Sequence, residues 1–395
     1  MKRVIIIALC ISLTGCSNLQ KETSSEDPIT ENFEFASKQT TLMLEGIGDT
    51  PRNPRNTEED GSLRLVKSRD WTSGFFPGNL WFLYEYTGDE KWKLAAEKFT
   101  INVEDQQWNG KTHDMGFKMY CSYGNGYRLT NNPEYKGILI QSAKTLITRF
   151  NPTVGALRSW DHNADKWQFP VIIDNMMNLE LLFWATKTTG DSAFCDIALS
   201  HAETTLKNHF RKDNSSYHVI NYDTLTGEVL DRHTHQGYAH ESAWARGQAW
   251  GLYGYTMTFR ETGDQRFLDQ AIKIADFILS HPKLPDDLVP YWDFDAPNIP
   301  NEPRDASAAA VIASGLYELS EYASSSSSEK YLNAANSILE SLSSPTYRAG
   351  LGTNNNFLLI HSTGNWPKDS EIDVPIVYAD YYWLEASLRK MKYDS

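Results

Sequence analysis

Apolar positions along this chain fall into two alternating kinds of helical stretch, separated by short polar turns. One kind keeps a single apolar stripe, as in Trp92, Ala96, Phe99 and Val103, in Phe267, Ala271, Ile274 and Ile278, and in Tyr331, Ala335, Ile338 and Leu342. Spacings of three and four residues line one face of an α-helix and leave the other to water. The second kind is apolar nearly all round, as from Met176 to Ala185 and from Ala308 to Ala313. A helix without a polar face is a buried helix. The pattern predicts amphipathic outer helices around buried inner ones.

The turns between them repeat. Thr87-Gly88-Asp89 is followed by Trp92, Asn132 by Tyr135, Thr189-Gly190-Asp191 by Phe194, Thr262-Gly263-Asp264 by Phe267, and Ser328 by Tyr331. Glycine ends one helix in the left-handed region, and Asp, Asn or Ser caps the first free N–H groups of the next. Each turn therefore joins an inner helix to an outer one, giving five hairpins. The ends supply a sixth, from an amphipathic segment over 33–44 and a buried one over 376–388. Six inner and six outer helices predict an all-α, single-domain (α/α)6 toroid over residues 31–393. An open solenoid of helix pairs is the alternative, but unequal spacings and the long stretch 207–242 favour a closed enzyme ring.

Residues 1–15 do not belong to that ring. Met1-Lys2-Arg3, the apolar run Val4–Leu13 and Thr14-Gly15-Cys16 have the layout of a secretory signal ending in a lipobox. The run is about half the ~20 residues that a membrane-spanning helix needs. This predicts a bacterial envelope protein, on its periplasmic or cell-surface face, lipidated at Cys16 and touching the membrane only through that lipid. Residues 16–30, poor in anything to bury, read as a disordered tether. Of the other cysteines Cys10 leaves with the signal, while Cys121 and Cys195 lie in apolar helical contexts as free buried thiols.

A net charge of -14 argues against nucleic acid or an anionic membrane surface as partner. The ring itself indicates where chemistry belongs. Thr72, Asp114, Asp174 and Arg246 each stand 17 or 18 residues ahead of a turn cap, at the entry of an inner helix, and in a closed ring all such entries open on one face. Trp71, His113-Asp114, Asp174-Asn175, Trp244-Arg246 and Arg304-Asp305 should converge there. Asp305, followed by Ala306-Ser307-Ala308, reads as an N-cap. Asp114 and Asp174 stand among aromatic and amide residues, and two carboxylates at one mouth can have their pKa values pushed apart into an acid and a base.

Trp71, Trp160, Trp244 and Trp250, together with His, Asn and Gln, suit the apolar faces of sugar rings, and Arg246 is a cation able to clamp a uronate carboxylate. His233, His235, His240 and His218 lack a zinc-site spacing, so no metal and no other cofactor is expected. Asp293 and Asp295 are rivals for a catalytic role but read better as hydrogen-bond acceptors that brace a loop.

Six stretches together carry a family resemblance: Trp71-Thr72-Ser73-Gly74-Phe75-Phe76-Pro77-Gly78, His113-Asp114-Met115-Gly116-Phe117, Ile173-Asp174-Asn175-Met176-Met177-Asn178-Leu179, Thr234-His235-Gln236-Gly237-Tyr238, Trp244-Ala245-Arg246-Gly247-Gln248-Ala249-Trp250-Gly251 and Pro290-Tyr291-Trp292-Asp293-Phe294-Asp295. In these the chain resembles glycoside hydrolase family 88, the unsaturated glucuronyl hydrolases. The resemblance implies that Asp174 is general acid and base with Asp114 assisting, and that His113, Trp160, His218, Gln236, Arg246 and Trp250 bind substrate. Asn354 to Asn356 and Ser362 are C-terminal candidates. It implies as substrate an oligosaccharide ending in a 4-deoxy-hex-4-enopyranosyl uronic acid, released by hydration of its C4=C5 vinyl ether. Two other readings are the related family 105 of unsaturated rhamnogalacturonyl hydrolases and a non-catalytic glycan-binding lipoprotein, which would have no need of Asp174.

Overall fold

The computed structural model describes residues 27–394; the signal segment, Cys16 and Ser395 lie outside the described residues. Its helices are α1 (Pro28–Ile47), α2 (Phe75–Thr87), α3 (Glu90–Ile101), α4 (Asn125–Thr130), α5 (Pro133–Ile147), α6 (Glu180–Thr189), α7 (Ser192–Asn208), α8 (Ala245–Thr262), α9 (Gln265–Ser280), α10 (Ala306–Tyr322), α11 (Ser325–Ser343) and α12 (Val377–Asp394). A π-helical segment, Gly116–Gly124, runs directly into α4, and a 3-10 segment, Ile173–Asn178, leads into α6. These two composite helices stand with α2, α8, α10 and α12 in the inner ring. The inner helices pack on one another in sequence, and α12 returns against α2 to close the circle. Outside lie α3, α5, α7, α9, α11 and α1.

The turns form as their residues dictate. Gly88, Gly190 and Gly263 end α2, α6 and α8 in the left-handed region, as Asn131 ends α4. Asp89, Asn132, Asp191 and Asp264 each accept the backbone N–H of the second residue beyond, so one helix stops where the next starts. The three stripes named above are buried, Trp92, Phe267 and Tyr331 among them. At α11 the start differs from expectation. The helix begins at Ser325 after Ser324, and Ser328 lies within it, its hydroxyl turned onto the Ser320 carbonyl. At the N-terminus α1 already begins at Pro28, with Asp27 accepting from the Thr30 N–H. The segment 28–30, expected in the tether, is therefore helical, because Ile29 finds a place in the core.

The strands were not legible as a helical pattern. β1 (Asn53–Thr57) and β2 (Leu63–Val66) form a hairpin before α2, and β3 (Phe150–Asn151) pairs with β4 (Ala156–Leu157) after α5. β5 (Pro170–Ile172), β6 (Val219–Tyr222) and β7 (Val229–His233) make an antiparallel sheet in the order β5-β6-β7. That sheet draws the stretch 207–242 over the ring, with Ile172 beside Ile173-Asp174 at its edge. Cys121 is buried and Cys195 partly exposed, both as free thiols.

Candidate active site

The inner-helix entries do open on one face. There a cavity of about 420 Å3 is lined by Trp71, His113, Asp114, Trp160, Asp174 and Gln236, and also by Arg55, Thr112, His235, Asn365, Lys368, Glu371 and Tyr378. The two acid-bearing segments are locked to each other at its floor. A Cβ on Gly116 would lie 2.6 Å from the Asn178 Cα, so the backbones touch as only glycine allows. The Phe117 N–H donates to the Asn178 side-chain oxygen at 3.0 Å across the same contact. A Cβ on Gly74 would clash in the same way, 2.3 Å from the carbonyl oxygens of Phe117 and Lys118. The motif glycines thus set the spacing of the segments that carry the acids.

The two carboxyl groups have unlike surroundings. Asp114 accepts the Thr112 hydroxyl at 2.5 Å and faces the His113 Nε2 at 3.1 Å. Burial would raise its pKa, but His113, Lys118 and the Thr112 hydrogen bond outweigh burial and hold it down at about 2. Asp174 is 7 % exposed, and its Oδ2 has no hydrogen-bond partner. Burial, with Asp114 adding to it, pushes its pKa up to about 6 against the pull of His113 and Arg246. The His218 Nε2 stands 3.7 Å from that Oδ2. His218 Nδ1 accepts the backbone N–H groups of His235 and Gln236 at 3.0 and 3.2 Å. Those acceptor bonds leave the imidazole proton on Nε2, facing Asp174, and burial keeps the ring neutral.

Not every residue expected at the mouth has a side chain in it. Arg246, 1 % exposed, turns both terminal nitrogens onto the protein instead of offering a free carboxylate clamp. Its NH1 donates to Asp305 and to the Thr363 carbonyl, and its NH2 to the Gly364 carbonyl, each at 2.6 Å. It braces the loop that forms one wall. Trp250, fully buried between Phe117 and Tyr382, belongs to the core rather than the lining. Trp244 packs on His218 at 4.6 Å, and Arg304 pairs with Asp287.

Asp305 caps α10 through Ser307 and Ala308. Asp293 accepts from Tyr238, Ser242 and Asp295, and Asp295 from Ala243, which fixes the loop next to Gln236. Asn354 and Asn355 tie their loop to the Leu359, Thr57 and Gly61 neighbourhood, away from the cavity. Ser362 is buried and pairs its backbone with Val374.

Sequence reasoning missed Arg55 and the loop 364–371. Arg55 forks onto Glu371, Nε to Oε1 at 2.6 Å and NH2 to Oε2 at 2.8 Å, and its NH1 bonds Asp70. Asp70 in turn holds Thr72 through its N–H and hydroxyl. One guanidinium therefore joins the wall loop to the segment that presents Trp71. No helical period marks such residues, although the Gly364-Asn365 pair and the acid-rich Asp369–Glu371 stretch are turn signals. A second cavity, about 530 Å3, lies behind Phe117 among Tyr253, Tyr382 and Glu180. There Arg260 is paired with Glu180 and Glu318, and Arg128 with Glu85.

Comparison with known proteins accounts for this geometry. The family model Glycosyl Hydrolase Family 88 matches residues 50–345. The chain is 48% identical to an unsaturated glucuronyl hydrolase of Formosa agariphila, over 99% of this chain and 98% of that one. Among solved structures, an unsaturated glucuronyl hydrolase specific for heparin superimposes with a TM-score of 0.90 at 51% identity, covering 93% of this chain and 98% of the other. The Bacillus sp. GL1 enzyme, an unsaturated glucuronyl hydrolase responsible for glycosaminoglycan degradation, does so with a TM-score of 0.87 at 30% identity, covering 92% and 96%. With its ring fold and its two unlike carboxyl groups at the inner-helix entries, the chain belongs to glycoside hydrolase family 88, the unsaturated glucuronyl hydrolases.

Proposed function

We propose that Asp174 protonates C4 of the terminal unsaturated uronic acid and then, as carboxylate, directs water to C5. The observation that carries this is the buried Asp174 Oδ2, free of partners in the cavity and raised to about 6. A carboxyl in that condition keeps its proton in mildly acidic solution and can give it up. The C4=C5 bond is a vinyl ether, so a proton at C4 leaves an oxocarbenium-like centre at C5. Water adds there, its spare proton passing to Asp174, and the resulting hemiketal opens and expels the remaining saccharide. The carboxylate of Asp114 steadies the cationic centre and raises its partner. Trp71 and Trp160 offer ring faces to the sugar, and Gln236, held by the Gly364 carbonyl at 3.0 Å, offers its amide.

The heparin specificity of the 51% identical solved structure supports glycosaminoglycan-derived disaccharides as substrates. The test is the loss of the conjugated C4=C5 absorbance, measured on lyase-generated disaccharides from heparin, chondroitin and ulvan with wild type and Asp174→Asn. Loss with wild type and silence in the variant is the expected result. Absorbance that persists on every disaccharide with wild type would refute the reading. The lipid anchor at Cys16 belongs to the same proposal, supported by the signal layout of the sequence. Metabolic labelling with palmitate should mark the wild type and not Cys16→Ser.

A further inference from the structure

Lys118, beneath the floor, is a buried charged group that no step above uses. It lies one helical turn beyond Asp114, its backbone N–H on the Asp114 carbonyl at 3.0 Å, and its residue is wholly buried. Its ammonium donates to the Gln106 Oε1 at 3.1 Å. Gln106 cannot turn its amide over, because its Nε2 donates to Asp105 at 2.9 Å and to Ser68 at 3.2 Å, and its Oε1 also accepts from Asn109 at 2.8 Å. A carbonyl oxygen is thus presented to the lysine by construction. Leaving a cation fully out of water is unfavourable unless an anion balances it.

The charges that face Lys118 are Asp114 from its own helix, Asp70 from the segment before α2 and Asp105 from the loop after α3. Asp70 is already claimed by Arg55. Asp105 lies at the surface, accepting the Ser68 hydroxyl. Asp114, in the same enclosed floor and the largest of the three influences, is the anion that Lys118 serves.

We infer that Lys118 is a positioning residue for catalysis, a buried cation beneath the floor that keeps Asp114 ionised so that Asp174 alone carries the proton. This rests on the assignment of Asp174 as the acid. The active form then requires an ionised Asp114 and a protonated Asp174. His113 Nε2 at 3.1 Å and the Thr112 hydroxyl at 2.5 Å also face Asp114 and remain when the ammonium is removed, so its pKa rises only part of the way and the acid limb of the rate moves up with it. Burial lowers the pKa of Lys118 itself while Asp114 sustains it, which makes the two charges mutually dependent.

The experiment is the pH dependence of kcat/KM on an unsaturated disaccharide for wild type, Lys118→Met and Lys118→Arg, each checked for folding by circular dichroism. Wild type should hold its rate between pH 4 and 6. In Lys118→Met the acid limb of the profile should begin about one pH unit higher than in wild type, the displacement that follows when the governing pKa moves up by one unit. Lys118→Arg should regain the wild-type profile even where its amplitude falls. A folded Lys118→Met with a lower rate but an unmoved profile would overturn the inference. Should that variant fail to fold, Gln106→Met, which takes away the acceptor that orients the ammonium, is read the same way. Wild type without turnover on any disaccharide would instead sink the hydrolase mechanism, so the two failures are distinct.

Discussion

Asp305 and Asp174 occupy equivalent places, each buried at the entry of an inner helix, yet one is surrounded by partners and the other is left bare. Asp305 Oδ1 accepts from Ser307 and Ala308, and its Oδ2 receives Arg246. Asp174 Oδ2 has no partner, and the helix it opens starts as a 3-10 segment rather than an α-helical one. The same residue type at the same station thus serves stability in one sector and chemistry in another. What separates them is whether the local backbone turns its N–H groups toward the carboxylate. The irregular segments, π-helical after Asp114 and 3-10 at Asp174, are the places where regular capping has been given up.

Substitutions can test that contrast. Asp174→Asn should lower kcat by about a thousandfold or more, within the range a positioned acid and base supplies. Its melting temperature should stay level or rise, since a bare buried carboxyl adds nothing to folding. Asp305→Ala should do the reverse. It removes a cap and strands Arg246 without its anion, a change expected to cost about 3–5 kcal/mol, read as a lower midpoint in urea. A variant pair that loses rate and stability together in both sectors would erase the distinction.

Asp114→Asn should fall between them, losing about a hundredfold in kcat in the same absorbance assay and also part of the stability, because it leaves the buried Lys118 without its anion. The pH profile gives a smaller effect with a definite sign. The raised pKa keeps Asp174 protonated up to about 6, so kcat/KM should fall as pH climbs through that value, approaching about tenfold per unit beyond it. A rate still climbing at alkaline pH would contradict the assignment. Smallest of all, Trp160→Ala should raise KM by about three- to tenfold, the worth of one aromatic face, and leave kcat nearly intact.

The ring was legible because its signals are local and repeated. Gly-Asp turns and apolar stripes need only neighbours a few residues apart, and Gly88-Asp89 or Gly263-Asp264 behave in space as they read in sequence. The station count also brought Asp114 and Asp174 to one mouth. What sequence could not supply was the direction of a side chain once there. Arg246 stands where a substrate clamp was expected and faces inward, since Asp305 and the carbonyls of Thr363 and Gly364 lie 59 to 118 residues away along the chain. Arg55 and Glu371, 316 residues apart, carry no pattern that links them. β5 escaped for the same reason, being paired with β6 across the whole of α6 and α7, while β6 is buried on both faces and shows no alternation.

Closure of the circle has a consequence for the order in which the protein is made. Tyr378, at the start of α12, forms part of the mouth, while Tyr381 packs its ring on Phe75 and Phe82 of α2. The first and last sectors of the chain are therefore mutual walls, and α1 rests against α12. Until the final helix has been synthesised, the emerging polypeptide has an open seam and an unfinished pocket. Contacts of such long sequence separation are slow to form. A product terminated before Val377 would leave apolar faces of α1 and α2 bare, so loss of the last helix should read as insolubility rather than as an altered enzyme.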